Sequence, residues 1–465
     1  MAMVIAHLPA LTLIPAVNHD EAAINAAARS WVHSGKISLT LLANVAGTYR
    51  DAYYWHPPGH MIVMATAYKL FGYSIFVTRF ESLFFGALAA SLLFLVVRKV
   101  TDSAVAGVIG AILLAAHPSW WWLCRSGRMD TTAIALGLGA ILVWQYRASE
   151  DISLGRAALV GLLMGIGSLF YPLILSWIPS FLIAEVAARR RWLWKQGVVC
   201  AVAGAAPFIL WVAAAFAIGD GHAWIEQFWK YQVLQRQALI PFLDRPWGEF
   251  RRFVSEMKPD PLFAAAVLAG VGLAWRRIRP DIWRWCAGGL TVSLLLVTFK
   301  MGKETGAYPM YWFVWLAILS AAGWASTLVA PARGRRVWRW LLMAGLGNAL
   351  ALHVFFAAVG LYQEQGRDPR RVDAFFAAHL PVGATVIGPE DIWYSVEKAG
   401  ASLRIWVAPD PARHDFYVTY AGLLHEPPTG FHRVATLKDV MPLVFGKYVS
   451  STSYAYDLWA ASPKR

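Results

Sequence analysis

The chain has 465 residues, of which 58% are hydrophobic and only 15% charged, against about 25% charged in soluble globular proteins. The formal charge of +14 would suggest a nucleic-acid partner on a soluble protein. Here the basic residues sit in short clusters between long apolar runs and no nucleic-acid motif accompanies them, so they read as cytoplasmic loop anchors of a polytopic membrane protein.

In chain order, the apolar runs predict eleven spans, at 1–17, 82–97, 103–119, 131–146, 157–171, 173–188, 197–218, 262–275, 285–299, 310–330 and 340–361. Several fall short of the ~20 residues that cross a bilayer and must extend into flanking Trp, Tyr and Arg. The clusters Arg98-Lys99, Arg147 to Arg156, Arg189 to Lys195, Arg276 to Arg284 and Arg333 to Arg339 are separated by two spans or one hairpin. By the positive-inside rule they face the cytoplasm, which places both the N-terminus and the clusters inside and the C-terminus outside. Met1 to Val17 contains Pro9 and Pro15 and lacks a basic flank; it reads as a span rather than a signal peptide. Met61 to Phe80 is apolar but contains Lys69 and Arg79. A Lys at a span centre costs ~3 kcal/mol, so this stretch is expected to lie as helices in the outer interface. Long outer loops follow at 18–80 and 219–261.

After Leu361 the composition turns polar. A helix over 372–379 and strands over 384–387, 416–420 and 431–437 predict a small α/β domain at 362–465, outside the membrane. The fold expected is therefore an α-helical membrane domain over 1–361 with a soluble extracytoplasmic α/β domain behind it. Cys124, Cys200 and Cys286 are far apart and have no metal-ligand spacing, so no disulfide and no zinc site is assigned.

Charge is almost absent from the predicted spans, Glu185 excepted, whereas ion-coupled transporters usually bury ionisable groups there. Four polar groups instead gather on the predicted outer face. Asp20-Glu21 follow the first span; taken alone they are the first turn of a helix, with Asn18 or Asp20 as its cap. Trp55 to His60 read WHPPGH, a Pro-Pro turn that opens a helix, and no third ligand turns its two His into a metal site. Arg125 to Asp130 read RSGRMD beside Trp120-Trp121-Trp122, an aromatic belt with a helix start. Lys300 to Trp312 read KMGKETGAYPMYW, a polar loop opening a span.

The ordered set, DEA with a following helix, then HPPGHMIVMATAYKLFGYSIFVTRFESLFFG, then RSGRMDTTAIAL, resembles the GT-C class of membrane glycosyltransferases. Within that class it is similar to the bacterial family akin to protein O-mannosyltransferases and lipid A aminoarabinose transferases. The resemblance covers about the first 150 residues, and farther on Lys303 and Tyr308-Pro309 match a family segment. It implies a catalytic base at Asp20, a second acid at Asp130 and Glu21 as the neighbouring alternative. His56 stands where the aminoarabinose enzymes have a Lys before the Pro pair.

The implied donor is a sugar on a polyprenyl phosphate. Its leaving group is already a stable anion, so only one carboxylate is required, to deprotonate or orient the acceptor hydroxyl. Arg125, Arg128, Lys300 and Lys303 are the outer-face cations for the phosphate, with His56 and Tyr308 beside the substrate. Direct displacement would invert the anomeric centre. The acceptor is a glycan, a lipid or a protein, and a divalent cation is left open. The competing readings are a transporter or flippase of lipid-linked sugars and an inactive assembly subunit. The resemblance places the chain in a bacterial inner membrane with its site on the periplasmic side.

Overall fold

A computed structural model describes residues 7–42, 47–145, 152–189, 193–217, 219–235, 244–258, 260–301, 308–329, 335–405, 414–421, 429–442, 444 and 454–462. It begins with a turn-rich segment through Val17 and the helix α1, His19–Ser34. Two helices follow the Pro-Pro turn: α2, Gly59–Phe71, and α3, Ile75–Thr101. The helical bundle continues with α4 (Ala104–Ala116), the short α5 (Pro118–Leu123), α6 (Asp130–Gln145), α7 (Leu154–Phe170), α8 (Trp177–Arg189) and α9 (Trp194–Ala217). After a connecting segment that includes α10 (Arg245–Met257) come α11 (Pro261–Arg277), α12 (Pro280–Met301), α13 (Met310–Val329) and α14 (Arg335–Tyr362).

Ten of the eleven expected spans coincide with helices, and among the described residues five stretches are long and apolar enough to cross a membrane: Ile75–Thr101, Trp194–Ala217, Pro280–Phe299, Met310–Leu328 and Arg336–Tyr362. The first expected span is corrected. Residues 1–6 lie outside the described residues, and from Leu8 to Val17 the backbone forms turns rather than a helix. Two prolines interrupt it, and the Arg125 guanidinium donates to the carbonyls of His7 (2.6 Å), Pro9 (3.2 Å) and Ile14 (3.0 Å), replacing the hydrogen bonds a helix would have made.

The reading of Met61 to Phe80 is corrected in its second half only. Its first half is α2, 13 residues long and short of a crossing. Its second half belongs to α3, which starts at Ile75 with Ser74 as its cap (Ser74 Oγ accepts from Val77 N at 3.2 Å). Arg79 is fully buried in that helix because Glu21 takes two of its N–H groups, at 2.8 and 3.0 Å, and the Leu11 carbonyl a third at 3.0 Å. A buried arginine with its donors met does not carry the penalty of a lone charge.

The helices pack closely where glycine permits. A Cβ at Gly161 of α7 would fall 2.2 Å from the Cys200 carbonyl of α9, so the backbones touch there as small residues allow. At the bundle end away from Asp20, Glu185 of α8 accepts from Gln145 Nε2 of α6 at 3.0 Å and from Trp285 Nε1 of α12 at 2.8 Å. Arg98 and Lys99 lie in the last turn of α3, some twenty residues from Arg79, which at 1.5 Å per residue is ~30 Å away.

The C-terminal segment folds as expected and somewhat beyond it. The helix α15 (Pro369–His379) and the short α16 (Trp393–Lys398) pack on a five-stranded sheet with strands β1 (Thr385–Gly388), β2 (Ser402–Ile405), β3 (Phe416–Tyr420), β4 (Phe431–Leu437) and β5 (Tyr456–Ala461). Their order is β2-β1-β3-β5-β4; β1 pairs parallel with β2 and β3, and β5 antiparallel with β3 and β4. Phe376, Val386, Trp393 and Tyr456 share one apolar core with Ala27 of α1 and Met61 and Tyr68 of α2, so the sheet domain rests on α1 and α2. Polar contacts seal the seam: Tyr394 Oη donates to Thr78 Oγ1 at 2.9 Å, and Arg29 Nε to Glu397 Oε2 at 3.1 Å.

Candidate active site

The cap of α1 is Asn18, whose Oδ1 accepts from the Glu21 amide at 3.0 Å. Asp20 is therefore spared the capping role and stands in the first turn. Its neighbour Glu21 turns inward to Arg79 with no exposed surface. The acid pair is thus split: Glu21 fixes α1 to α3, and Asp20 faces the site with its side chain 44% exposed.

Opposite Asp20 runs the turn between α5 and α6. Gly127 has φ +57°, in the left-handed region where glycine is at ease. Asn25 Nδ2 donates to the Gly127 carbonyl at 3.1 Å and Ser82 Oγ to the Arg128 carbonyl at 3.0 Å. Thr132 Oγ1 donates to Glu81 Oε1 at 2.9 Å. Fixed in this way, Arg128 stretches one guanidinium between two acids. Its Nε donates to Asp130 Oδ2 at 2.9 Å and its Nη1 to Asp20 Oδ2. Tyr311 Oη donates to the other Asp130 oxygen at 3.4 Å, and the Trp122 ring lies 5.5 Å from the Arg128 Cζ. Asp130 and Arg128 are buried. A Cβ at Gly127 would sit 2.5 Å from Thr78 Cγ2, so Gly127→Ala is expected to lose about 1–3 kcal/mol of stability, read as a lower melting temperature of the purified chain.

Partial burial alone would raise the Asp20 pKa. Arg128 beside it, followed by His56 and His19, outweighs that and holds the carboxyl well below the usual range. His60 goes the other way: burial, and then Arg128, lower it to about 3. It is a neutral imidazole whose Nδ1 is 3.7 Å from Glu81 Oε1.

Beside the acids is an aromatic wall. Tyr171 lies parallel to Tyr308 with centroids 6.2 Å apart, and His56 and Tyr311 flank it at 6.4 and 6.0 Å. Tyr53 Oη and His56 Nδ1 share a hydrogen bond of 2.6 Å. Arg252 of α10 lies 5.8 Å from the Tyr308 centroid and pairs with Glu249, which also accepts from Trp312 Nε1 at 2.8 Å.

The structure thus brings together Asp20, Arg128, Asp130, His56 and Tyr308. It turns Glu21 and Arg125 to other partners: the Glu21 carboxylate is held by Arg79, and the Arg125 donors by the N-terminal carbonyls. Lys303 and the Lys300 side chain lie outside the described residues. His56 and His60 face different neighbours, and among the described residues no three His, Cys, Asp or Glu side chains converge as a cation site. Sequence reasoning missed Tyr171, Tyr311, Arg79 and Arg252. One signal was present for the first: Tyr171-Pro172 repeats the Tyr308-Pro309 pair, and the two tyrosines stack.

Residues 55–234 match the family described as dolichyl-phosphate-mannose-protein mannosyltransferase. Comparison with curated proteins gives no match. Among solved structures, the fold is similar to ArnT from Cupriavidus metallidurans bound to undecaprenyl phosphate, at 15% identity and a TM-score of 0.62 over 100% of this chain and 98% of that one. The apo state of the same protein gives 14% identity and a TM-score of 0.62, with the same coverage. The Archaeoglobus fulgidus oligosaccharyltransferase in complex with Zn and sulfate is similar at 13% identity and a TM-score of 0.52, over 87% of this chain and 62% of that one. The chain thus shares its fold with ArnT from Cupriavidus metallidurans, and its residues 55–234 carry the pattern of the mannosyltransferase family.

Proposed function

We propose that the chain transfers a sugar from a polyprenyl-phosphate donor to a hydroxyl of a glycan, lipid or protein acceptor on the periplasmic face of a bacterial inner membrane, by a single inverting displacement. The observation that carries this reading is the single buried guanidinium that holds Asp20 and Asp130 together beside an aromatic wall. The solved relatives add support through what they hold: undecaprenyl phosphate in ArnT, and a dolichol-phosphate with an inhibitory peptide in the archaeal enzyme, matched at a TM-score of 0.50.

In the proposed step the acceptor oxygen forms a bond to the anomeric carbon as its proton passes to Asp20. The bond from that carbon to the phosphate oxygen breaks, and its electron pair leaves with the phosphate. Arg128 is the cation placed to meet the developing charge, with Lys300 in the last turn of α12 and Lys303 after it in sequence as further candidates. As Arg128 turns to the phosphate it loosens its hold on Asp20, whose basicity then rises when the proton must be accepted. His56, Tyr308 and Tyr171 offer ring faces to a sugar.

The test is turnover of a radiolabelled polyprenyl-phosphate sugar by the purified chain, with and without a divalent cation. Transfer or release of the label supports the reading. Translocation of the intact donor across vesicles with no bond broken would replace it with the flippase. Reporter fusions after Lys195 and after Asp368 test the orientation and are expected on opposite sides.

A further inference from the structure

We infer that the bundle has a second ligand site, which takes a zwitterionic aminophospholipid. Trp122, whose ring lies 5.5 Å from the Arg128 Cζ, also lines a cavity of about 330 Å³ between the N-terminal segment, the α4–α5 junction and α14. Ile14, Trp121 and Phe356 supply apolar wall, and the polar groups reaching it are Asp260, His353 and Arg367.

Asp260 and Arg367 are both buried, and each is only partly satisfied. Asp260 Oδ1 caps α11 by accepting from the Phe263 amide at 2.8 Å and also accepts from Asn348 Nδ2 at 2.7 Å, whereas Oδ2 has no partner. Arg367 spends Nε and Nη2 on Gln363 Oε1, at 3.0 and 2.9 Å, and Nη1 has no partner. Buried charged groups left short of hydrogen bonds are expensive.

The two orphan atoms have opposite character. One is an N–H donor on a cation and the other an oxygen acceptor on an anion, and both belong to residues that line a largely apolar chamber. Asp260 opens α11 and Arg367 follows α14, so both stand at the end of the bundle that carries Arg128 and the sheet domain. A phosphatidylethanolamine meets all three features. Its phosphodiester accepts from Arg367 Nη1, its ammonium donates to Asp260 Oδ2, and an acyl chain fills the apolar space. A purely anionic lipid would set its charge against the Asp260 carboxylate. Nothing in this site depends on sugar transfer, and its test does not read transfer.

Full-length protein, stripped of lipid in mild detergent, is titrated by native mass spectrometry with dioleoyl phosphatidylethanolamine and dioleoyl phosphatidylglycerol. The ethanolamine lipid is expected to bind about 10-fold or more tightly, the worth of one charge-assisted hydrogen bond. Asp260→Asn keeps a capping oxygen and is expected to cut that preference to about twofold or less, losing the ammonium contact. Leu352→Trp, which fills the cavity without touching charge, is expected to weaken both lipids. Equal binding of the two lipids by the wild type overturns the inference, as does an unchanged preference in Asp260→Asn or undiminished binding in Leu352→Trp. Should Asp260→Asn fail to fold, the wild-type preference and Leu352→Trp still decide.

Discussion

Replacing Asp20 by Asn is expected to slow sugar transfer by about 10²-fold or more while leaving the melting temperature close to that of the wild type. Asn keeps the size and one acceptor oxygen but cannot take a proton. The control is clean because α1 is capped by Asn18 and not by Asp20, so the substitution leaves the helix start intact. The Asp20–Arg128 pair does lose charge, but Asp20 is the more exposed of the two acids on Arg128, and exposed pairs contribute little. Since the folded-state pKa of Asp20 is depressed, the stability it adds is present above its ordinary value of about 4. That stability fades only as the pH falls through the lowered folded value. The free protein therefore keeps Asp20 ionised at every pH at which transfer is measured, and an acid limb near neutrality must come from another group. Transfer by purified Asp20→Asn within a few-fold of the wild type would take Asp20 out of the proposed mechanism.

Apolar runs made most of the helical bundle readable: among the described residues, ten of the expected stretches coincide with helices. The errors share one cause. Arg79 and Glu21 each look like a mark against burial when taken singly, yet 58 residues apart in sequence they satisfy one another. A linear reading takes each charge alone, so it ended the outer loop at Phe80 and did not foresee that Arg79 holds the Glu21 carboxylate. Arg125 is a similar case, since its carbonyl partners on the N-terminal segment carry no side-chain signal at all. In the C-terminal domain, β3 and β4 were found to the residue because their neighbours are polar turns, whereas β2 is only Ser402–Ile405 and β5 follows a long gap. Asp20, Arg128 and Asp130 were legible through motif order. That one guanidinium bridges the two acids was not, because it depends on the Gly127 turn meeting α1 across more than a hundred residues.

Arg128→Ala is expected to abolish measurable transfer and to destabilise the fold by about 3–5 kcal/mol, the usual result of stripping a buried charge of its partner. The exposed acid, Asp20, can turn to water, but Asp130 is fully buried and would keep only the long Tyr311 contact of 3.4 Å. Arg128→Lys is expected to recover part of the stability and little transfer. A single ammonium is a point charge on a flexible stem, while the planar guanidinium presents separate N–H groups to Asp20 and Asp130. The double variant Arg128→Met with Asp130→Asn separates the two roles. It removes the buried carboxylate together with its cation, and replacing both members of a buried pair is often neutral, so its melting temperature should rise well above that of Arg128→Ala. Transfer should stay absent, because no cation faces the leaving phosphate and Asp20 has lost the group that modulates its basicity. If the double variant regains stability and transfers sugar at near wild-type rates, Arg128 is only a strut that holds α6 to α1, and the phosphate must be met elsewhere, with Arg252 over Tyr308 the next cation to replace.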